Sequence, residues 1–368
     1  MFGLLLLVVA LIVYGSLYPW QFDFGRHVDP LALLLHSWPR TFTRYVARDI
    51  AVNVLLYVPL GATALLAFRR KWRWAAMPAA VALGFVLSGS MELLQAFDDR
   101  RTTSLLDLAT NTLGAAAGAL LGLVFAPAAE SLRRKAWRFA GAGALLAVLW
   151  MSFQLYPFFP VFSTYRIRLY QAAISPVEIW AGAAGWFAFA LAFQACIGRL
   201  RTGWFALAML AVPLRFFIVS RTVHWNDLLA VPLALALWWA IAPPRRLRAG
   251  LWIVISALLL RELAPFHWSA EPAPFSWIPF TPTLESEWGT AAVIVLRKAF
   301  EYGAVVWLLH AARWPYARSA ACVAAALFVL ELMQRHLPGR TPETTDAVLA
   351  LLMGLALWLA DRPERHRV

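Results

Sequence analysis

The chain has 368 residues, 61% of them hydrophobic and only 14% charged, and its mean hydropathy is +0.65, which excludes an ordinary soluble domain. A net charge of +13 would suit nucleic acid. The basic residues, however, are divided among short connections between apolar runs, as the positive-inside rule requires, so nucleic acid is excluded as a partner.

Apolar runs long enough to cross a bilayer recur from end to end. They predict an all-α, polytopic membrane protein with about twelve transmembrane helices, arranged as three four-helix repeats. The first run, Met1 to Leu17, has no basic leader and no small-residue cleavage site, and is expected to be a retained span. It ends in Leu17-Tyr18-Pro19-Trp20. Similar endings at Leu155-Tyr156-Pro157-Phe158 and Leu263-Ala264-Pro265-Phe266 mark the start of each unit. The aromatic loop over 19–48 is expected on the membrane surface. The second run opens with Asp49 and Asn53, one helical turn apart on one face, and contains Pro59, which is expected to kink it. Its end is a basic turn, Arg69, Arg70, Lys71 and Arg73.

The third run ends at Glu92 and Gln95, and the fourth starts at Asp107, followed one turn later by Asn111. Arg101 and Thr102 lie between them. Below Asn111 the same face continues as Gly114, Gly118 and Gly122, a ladder that lets a neighbouring helix approach closely. After Arg133, Arg134, Lys135 and Arg138, runs near 139–155, 176–197, 203–219 and 226–242 form a second unit. Those near 249–263, 289–311, 317–335 and 344–360 form a third. The predicted units are therefore 1–126, 139–242 and 249–362. The basic turns at 69–73, 133–138, 199–201 and 245–248 fall on one side of this arrangement. That side is expected to be cytoplasmic, with both termini inside and the polar motifs outside.

The polar motif itself recurs. Arg101-Thr102 and Asp107 return as Arg221-Thr222 and Asp227, and then as Arg340-Thr341 and Asp346. The three arginines lie about 120 residues apart. Glu331 and Gln334 repeat the spacing of Glu92 and Gln95. The second unit has Val212 and Arg215 there, and the third offers Arg297, Lys298 and Glu301 in place of an Asp-x3-Asn pair.

Asp49-x3-Asn53-Val-Leu-Leu-Tyr-Val-Pro-Leu-Gly61, Glu92-x2-Gln95, Arg101-Thr102-x4-Asp107 and Asn111-Thr112-x-Gly114 resemble the VanZ-like family of small membrane proteins. The member that names the family confers low-level resistance to the lipoglycopeptide teicoplanin. The resemblance is fullest over residues 1–126. It implies a role in a bacterial-type cell envelope, at the cytoplasmic (inner) membrane, and no settled reaction.

Two readings of the cluster stand side by side. In one, Asp49, Asn53, Glu92, Gln95, Arg101, Asp107 and Asn111 form an extracytoplasmic site for a polar head group. Arg101 would hold phosphate or carboxylate, and the amides would donate and accept hydrogen bonds. Arg221, Asp227, Glu331, Gln334, Arg340 and Asp346 are the repeat equivalents. In the other, Asp107 complements a helix dipole, Thr103 or Ser104 caps that helix, and Arg101 pairs with Asp107 or Glu92 to clamp a hairpin. An acid at the C-terminal end of its own helix, as Glu92 is, argues against a cap alone. Membrane lipids or lipid-linked glycan precursors are the expected partners. A proton-coupled transporter or flippase, and a transferase or hydrolase acting on a lipid phosphate, are the alternatives. Cys196, Cys322 and the scattered histidines, including His224 and His336, lack ligand spacing, so no metal and no cofactor is expected.

Overall fold

The computed structural model describes residues 2–25, 27–39, 41, 44–69, 71–72, 74–98, 101–135, 140–158, 169–170, 173–198, 200, 202–218, 221–285 and 288–361. Arg70, Arg73, Arg138, Arg199 and Arg201, named above in basic turns, lie outside these. The chain divides into two compact units, Met1–Ser131 and Leu132–Val368.

The N-terminal unit contains α1 (Phe2–Leu17), the short α2 (Pro30–His36), α3 (Arg44–Phe68), α4 (Ala76–Gln95) and α5 (Leu105–Lys135). Asp29 starts α2 by accepting the N–H groups of Leu31 and Ala32, with Pro30 at the first position, where no N–H is needed. Helix α3 runs unbroken through Pro59, and the Thr63 hydroxyl donates to the Pro59 carbonyl at 2.7 Å. The core gathers Leu5 and Ile12 of α1, Tyr57, Leu60 and Ala64 of α3, Ala76 and Ala80 of α4, and Ala119 of α5. The glycine ladder meets α3. A Cβ on Gly114 would stand 2.2 Å from the Val54 carbonyl oxygen and one on Gly118 2.0 Å from that of Val58. From the other side, a Cβ on Gly61 would stand 1.9 Å from the Ala115 oxygen. The two backbones touch, which only glycine allows.

The C-terminal unit contains α6 (Ala140–Leu155), α7 (Pro176–Ile197), α8 (Thr202–Met209), α9 (Ala211–Leu214), α10 (Trp225–Ala240), α11 (Arg246–Leu263), α12 (Thr281–Glu285), α13 (Trp288–Ala311), α14 (Tyr316–Gln334) and α15 (Thr345–Asp361). Two two-residue strands, β1 (Leu169–Tyr170) and β2 (Val223–His224), pair in parallel. Its core is built on α7, whose residues are buried on nearly every side between Ala181 and Ala192. A helix apolar all round must be enclosed by others. Trp186 and Phe187 of α7 pack against Trp150 and Trp238, and Trp150 in turn against Phe300.

Among the described residues, five helical segments are long and apolar enough to cross a membrane: Asp49–Phe68, Ala76–Gln95, Leu105–Val124, Pro176–Ile197 and Tyr316–Gln334. A sixth is possible if Trp225–Ala240 and Pro243–Leu263, which meet at 110°, count as one broken span. The sequence expectation of about twelve rests on counting every apolar run alike. Phe2–Leu17, Gly141–Leu155 and Thr202–Phe217 are apolar but short. Helix α13 has the length but carries Arg297, Lys298 and Glu301.

Candidate functional site

The start of α5 organises the polar cluster of the N-terminal unit. A helix N-terminus leaves backbone N–H groups without intrahelical partners. Here Ser104 is the cap: its hydroxyl accepts the Asp107 N–H at 3.1 Å and donates to the Asp107 carboxylate at 3.0 Å. The Leu105 N–H donates to the Ser37 hydroxyl at 2.7 Å, which fastens the end of α2 over the site. The Ser104 N–H donates to the Glu92 carboxylate at 2.7 Å. Glu92 is unfavourable at the end of its own helix, and it is satisfied by the start of the next.

Around this point the sequence-predicted residues separate into two groups. Asn53 lies beside Asp107, and Asp49 is exposed one turn before it. Asn111 is buried and donates to the Ser88 hydroxyl at 3.0 Å, while its Oδ1 has no hydrogen-bond partner. Gln95 and Arg101 turn away instead, toward the end of α1. Gln95 donates to the Ser16 carbonyl at 2.7 Å. Arg101 donates to the Tyr18 carbonyl through Nε at 3.0 Å and Nη2 at 2.9 Å, and more weakly to Gly15 at 3.4 Å. Arg101 therefore clamps a helix end, whose last carbonyls lack partners and carry negative charge. It does not pair with Glu92 or Asp107. Among the described residues neither carboxylate has an ion-pair partner.

Beside the cluster lies a groove of about 790 Å³. It is lined by His27, Asp29, His36, Arg101, Thr102 and Thr103 together with apolar residues of α2.

The C-terminal unit makes several of the same bonds. Glu331 accepts the Glu343 N–H at 2.8 Å, and Gln334 donates to the Glu262 carbonyl at 3.1 Å. Arg340 donates to the carbonyl of Ala264 at 3.1 and 3.0 Å, and also to that of Arg261. Arg221 donates to the carbonyls of Phe153 and Gln154 at the end of α6. Burial and then the nearby Arg215 bring the Arg221 guanidinium down to about 10. Asp227 caps α10 by accepting the His224 N–H at 3.0 Å and pairs with the buried Arg215 at 2.9 Å.

Unlike Asp107 in the N-terminal cluster, Asp346 and Glu301 here have cations. Asp346 takes the Lys298 ammonium at 2.5 Å and the Tyr302 hydroxyl at 2.6 Å. Glu301 pairs with Arg261 and Arg297, and Arg261 also with Glu178 at 2.9 Å. A cavity of about 370 Å³ opens among Glu178, Arg261, Glu262, Arg297, Lys298 and Arg340. Burial raises the Glu343 carboxyl, against the lowering effects of the Thr345 hydroxyl and Lys298.

Sequence reasoning missed Tyr57, Ser88, Tyr302 and Glu262. Tyr57 sat inside the quoted motif, four residues after Asn53, and its position on that polar face could have singled it out. Ser88 and Glu262 belong to no motif, and only the fold brings them in.

A predominantly helical chain with five apolar helices long enough to cross a bilayer, and with ionisable groups gathered where those helices end, has the make-up of a multi-pass membrane protein. Its family likeness lies in the N-terminal unit: residues 1–126 match the family model described as VanZ/LLP1. No curated protein and no solved structure matches the chain.

Proposed function

We propose that this is a multi-pass envelope protein of a bacterial-type cytoplasmic membrane, with both termini inside. In this reading its N-terminal unit binds the polar head group of an amphiphile, a membrane lipid or a lipid-linked glycan precursor. Tolerance of lipoglycopeptides would be its cellular consequence. The observations that carry the reading are the groove beside Arg101, Thr102 and Thr103 and the carboxylates of Glu92 and Asp107, which have no ion-pair partner among the described residues. Ion pairing would account for such acids in a clamp; without it they remain available to a ligand. The shared bonds of Glu92 and Glu331, Gln95 and Gln334, and Arg101, Arg221 and Arg340 support reading the chain as three related four-helix units, of which the first is the most complete.

Ala32 lines the groove. Ala32→Trp is expected to remove co-purifying amphiphile, seen by native mass spectrometry, while leaving the melting temperature within a few degrees of wild type. Unchanged amphiphile occupancy in this variant would put binding elsewhere.

Proton-coupled transport is the second reading, favoured by Lys298, Tyr302 and Asp346, which join α13 to α15 through buried ionisable groups. Proton flux into liposomes that is lost in Asp346→Asn would favour it.

A further inference from the structure

The two units hold their acids in the same way, with one difference. Asp107 follows Glu92 by as many residues as Asp346 follows Glu331, and Tyr57 follows Asn53 as Tyr302 follows Lys298. In the C-terminal unit Asp346 accepts from both the Lys298 ammonium and the Tyr302 hydroxyl. In the N-terminal unit the residue beside Asp107 is Asn53, a neutral amide. Among the described residues the N-terminal cluster thus keeps the carboxylates without a cation paired to them. A carboxylate withdrawn from water requires an opposite charge or several strong donors.

A second observation also points to a missing group. Asn111 Oδ1, on a side chain 7% exposed, has no hydrogen-bond partner within the protein. The Tyr57 hydroxyl, on a side chain only 1% exposed, neighbours Ser88 and faces Glu92 and Asp107. Buried polar atoms are almost always satisfied in a complete site. Among the described residues no group of three His, Cys, Asp or Glu side chains is placed to hold a metal ion.

We infer that the N-terminal cluster accepts the primary ammonium group of a ligand between Asp107, Asn53 and Asp49, in the place where the C-terminal unit puts its own lysine. The inference rests on the head-group reading above and narrows it to amine-bearing head groups. A primary ammonium has three N–H donors for the two carboxylates and the Asn53 oxygen, whereas a quaternary ammonium has none. Asp49 is exposed and Asp107 half-buried, so the position is open to a ligand from outside the helix pair. The groove lined by Arg101, His27 and His36, and also by Asp29, offers N–H donors to an anionic group on the same ligand, as in a phosphoethanolamine.

The test uses the full-length protein in detergent micelles and reads its melting temperature. Phosphatidylethanolamine is compared with phosphatidylcholine and phosphatidylglycerol of the same acyl chains, and with soluble phosphoethanolamine. Phosphatidylethanolamine is expected to raise the melting temperature of wild type by several degrees, and phosphatidylcholine is not. Asn53→Lys supplies a tethered ammonium, and is expected to lose the response while melting at or above the wild-type temperature. A shift from soluble phosphoethanolamine of equal size would support the same chemistry with a free amine as its source. Equal shifts from all three lipids, or a response that persists in Asn53→Lys, would overturn the inference and leave the groove reading intact. No shift from any amphiphile would overturn both. Should Asn53→Lys not fold, loss of the ethanolamine preference in Asp107→Asn decides for the inference, and its retention decides against it.

Discussion

Arg101 and Arg340 direct their guanidinium groups at carbonyl oxygens, at the ends of α1 and α11 respectively. A charged donor on unpaired helix-end carbonyls is worth about 2 kcal/mol, because it satisfies acceptors that burial would leave empty. Arg340→Ala is therefore expected to lower stability by about 2 kcal/mol, read as a fall in unfolding midpoint in detergent, and Arg101→Ala by a similar amount. An unchanged midpoint in both would show the clamps to be incidental. Glu92→Gln behaves differently, since an amide oxygen still accepts the Ser104 N–H. It is expected to keep the unfolding midpoint within a degree or two of wild type. Spacing along the chain identified Glu92, Gln95, Arg101 and Asp107 as one group, because residues three and four apart share a helix face. It could not show that Gln95 and Arg101 point to α1 rather than to the acids. A periodicity names the face of a helix, and the partner depends on which helix packs there.

At the scale of the elements, the glycine ladder of α5 was legible as a site of close helix approach, but not that α3 is the helix it receives. Gly114 and Gly118 lie against Val54 and Val58, as a small-residue ladder requires. A side chain at Gly118 would have to displace backbone, so Gly118→Ala is expected to cost at least about 2 kcal/mol. Its accumulation in membranes should fall accordingly. Gly203→Ala is the control, since nothing lies within 4 Å of the added carbon, and it should accumulate normally. A Gly118→Ala protein as abundant and stable as Gly203→Ala would contradict the close approach. The helices of the C-terminal unit were less legible. Hydropathy cannot tell a lipid-facing span from a helix enclosed by others such as α7, and the charges of α13 find their partners only in the folded unit. Nor does composition show the 110° turn between Trp225–Ala240 and Pro243–Leu263.

For the whole molecule, the distribution of basic residues sets the expected orientation. In intact cells, cysteines placed at Thr102 and Pro338 are expected to react with a membrane-impermeant thiol reagent, and those at Trp74 and Arg246 to react only after permeabilisation. The opposite pattern would invert the protein in the membrane. The account's central claim is that the N-terminal cluster serves a ligand and is more than a clamp between helices. The most direct measurement scores lipoglycopeptide tolerance in cells alongside melting temperature in detergent, for Glu92→Gln and for Asp227→Asn of the C-terminal unit. Glu92→Gln is expected to abolish tolerance and to melt as wild type does. Asp227→Asn loses its pairing with Arg215, and is expected to melt lower yet retain tolerance. A tolerant Glu92→Gln, or one that loses tolerance only by unfolding, would contradict the claim.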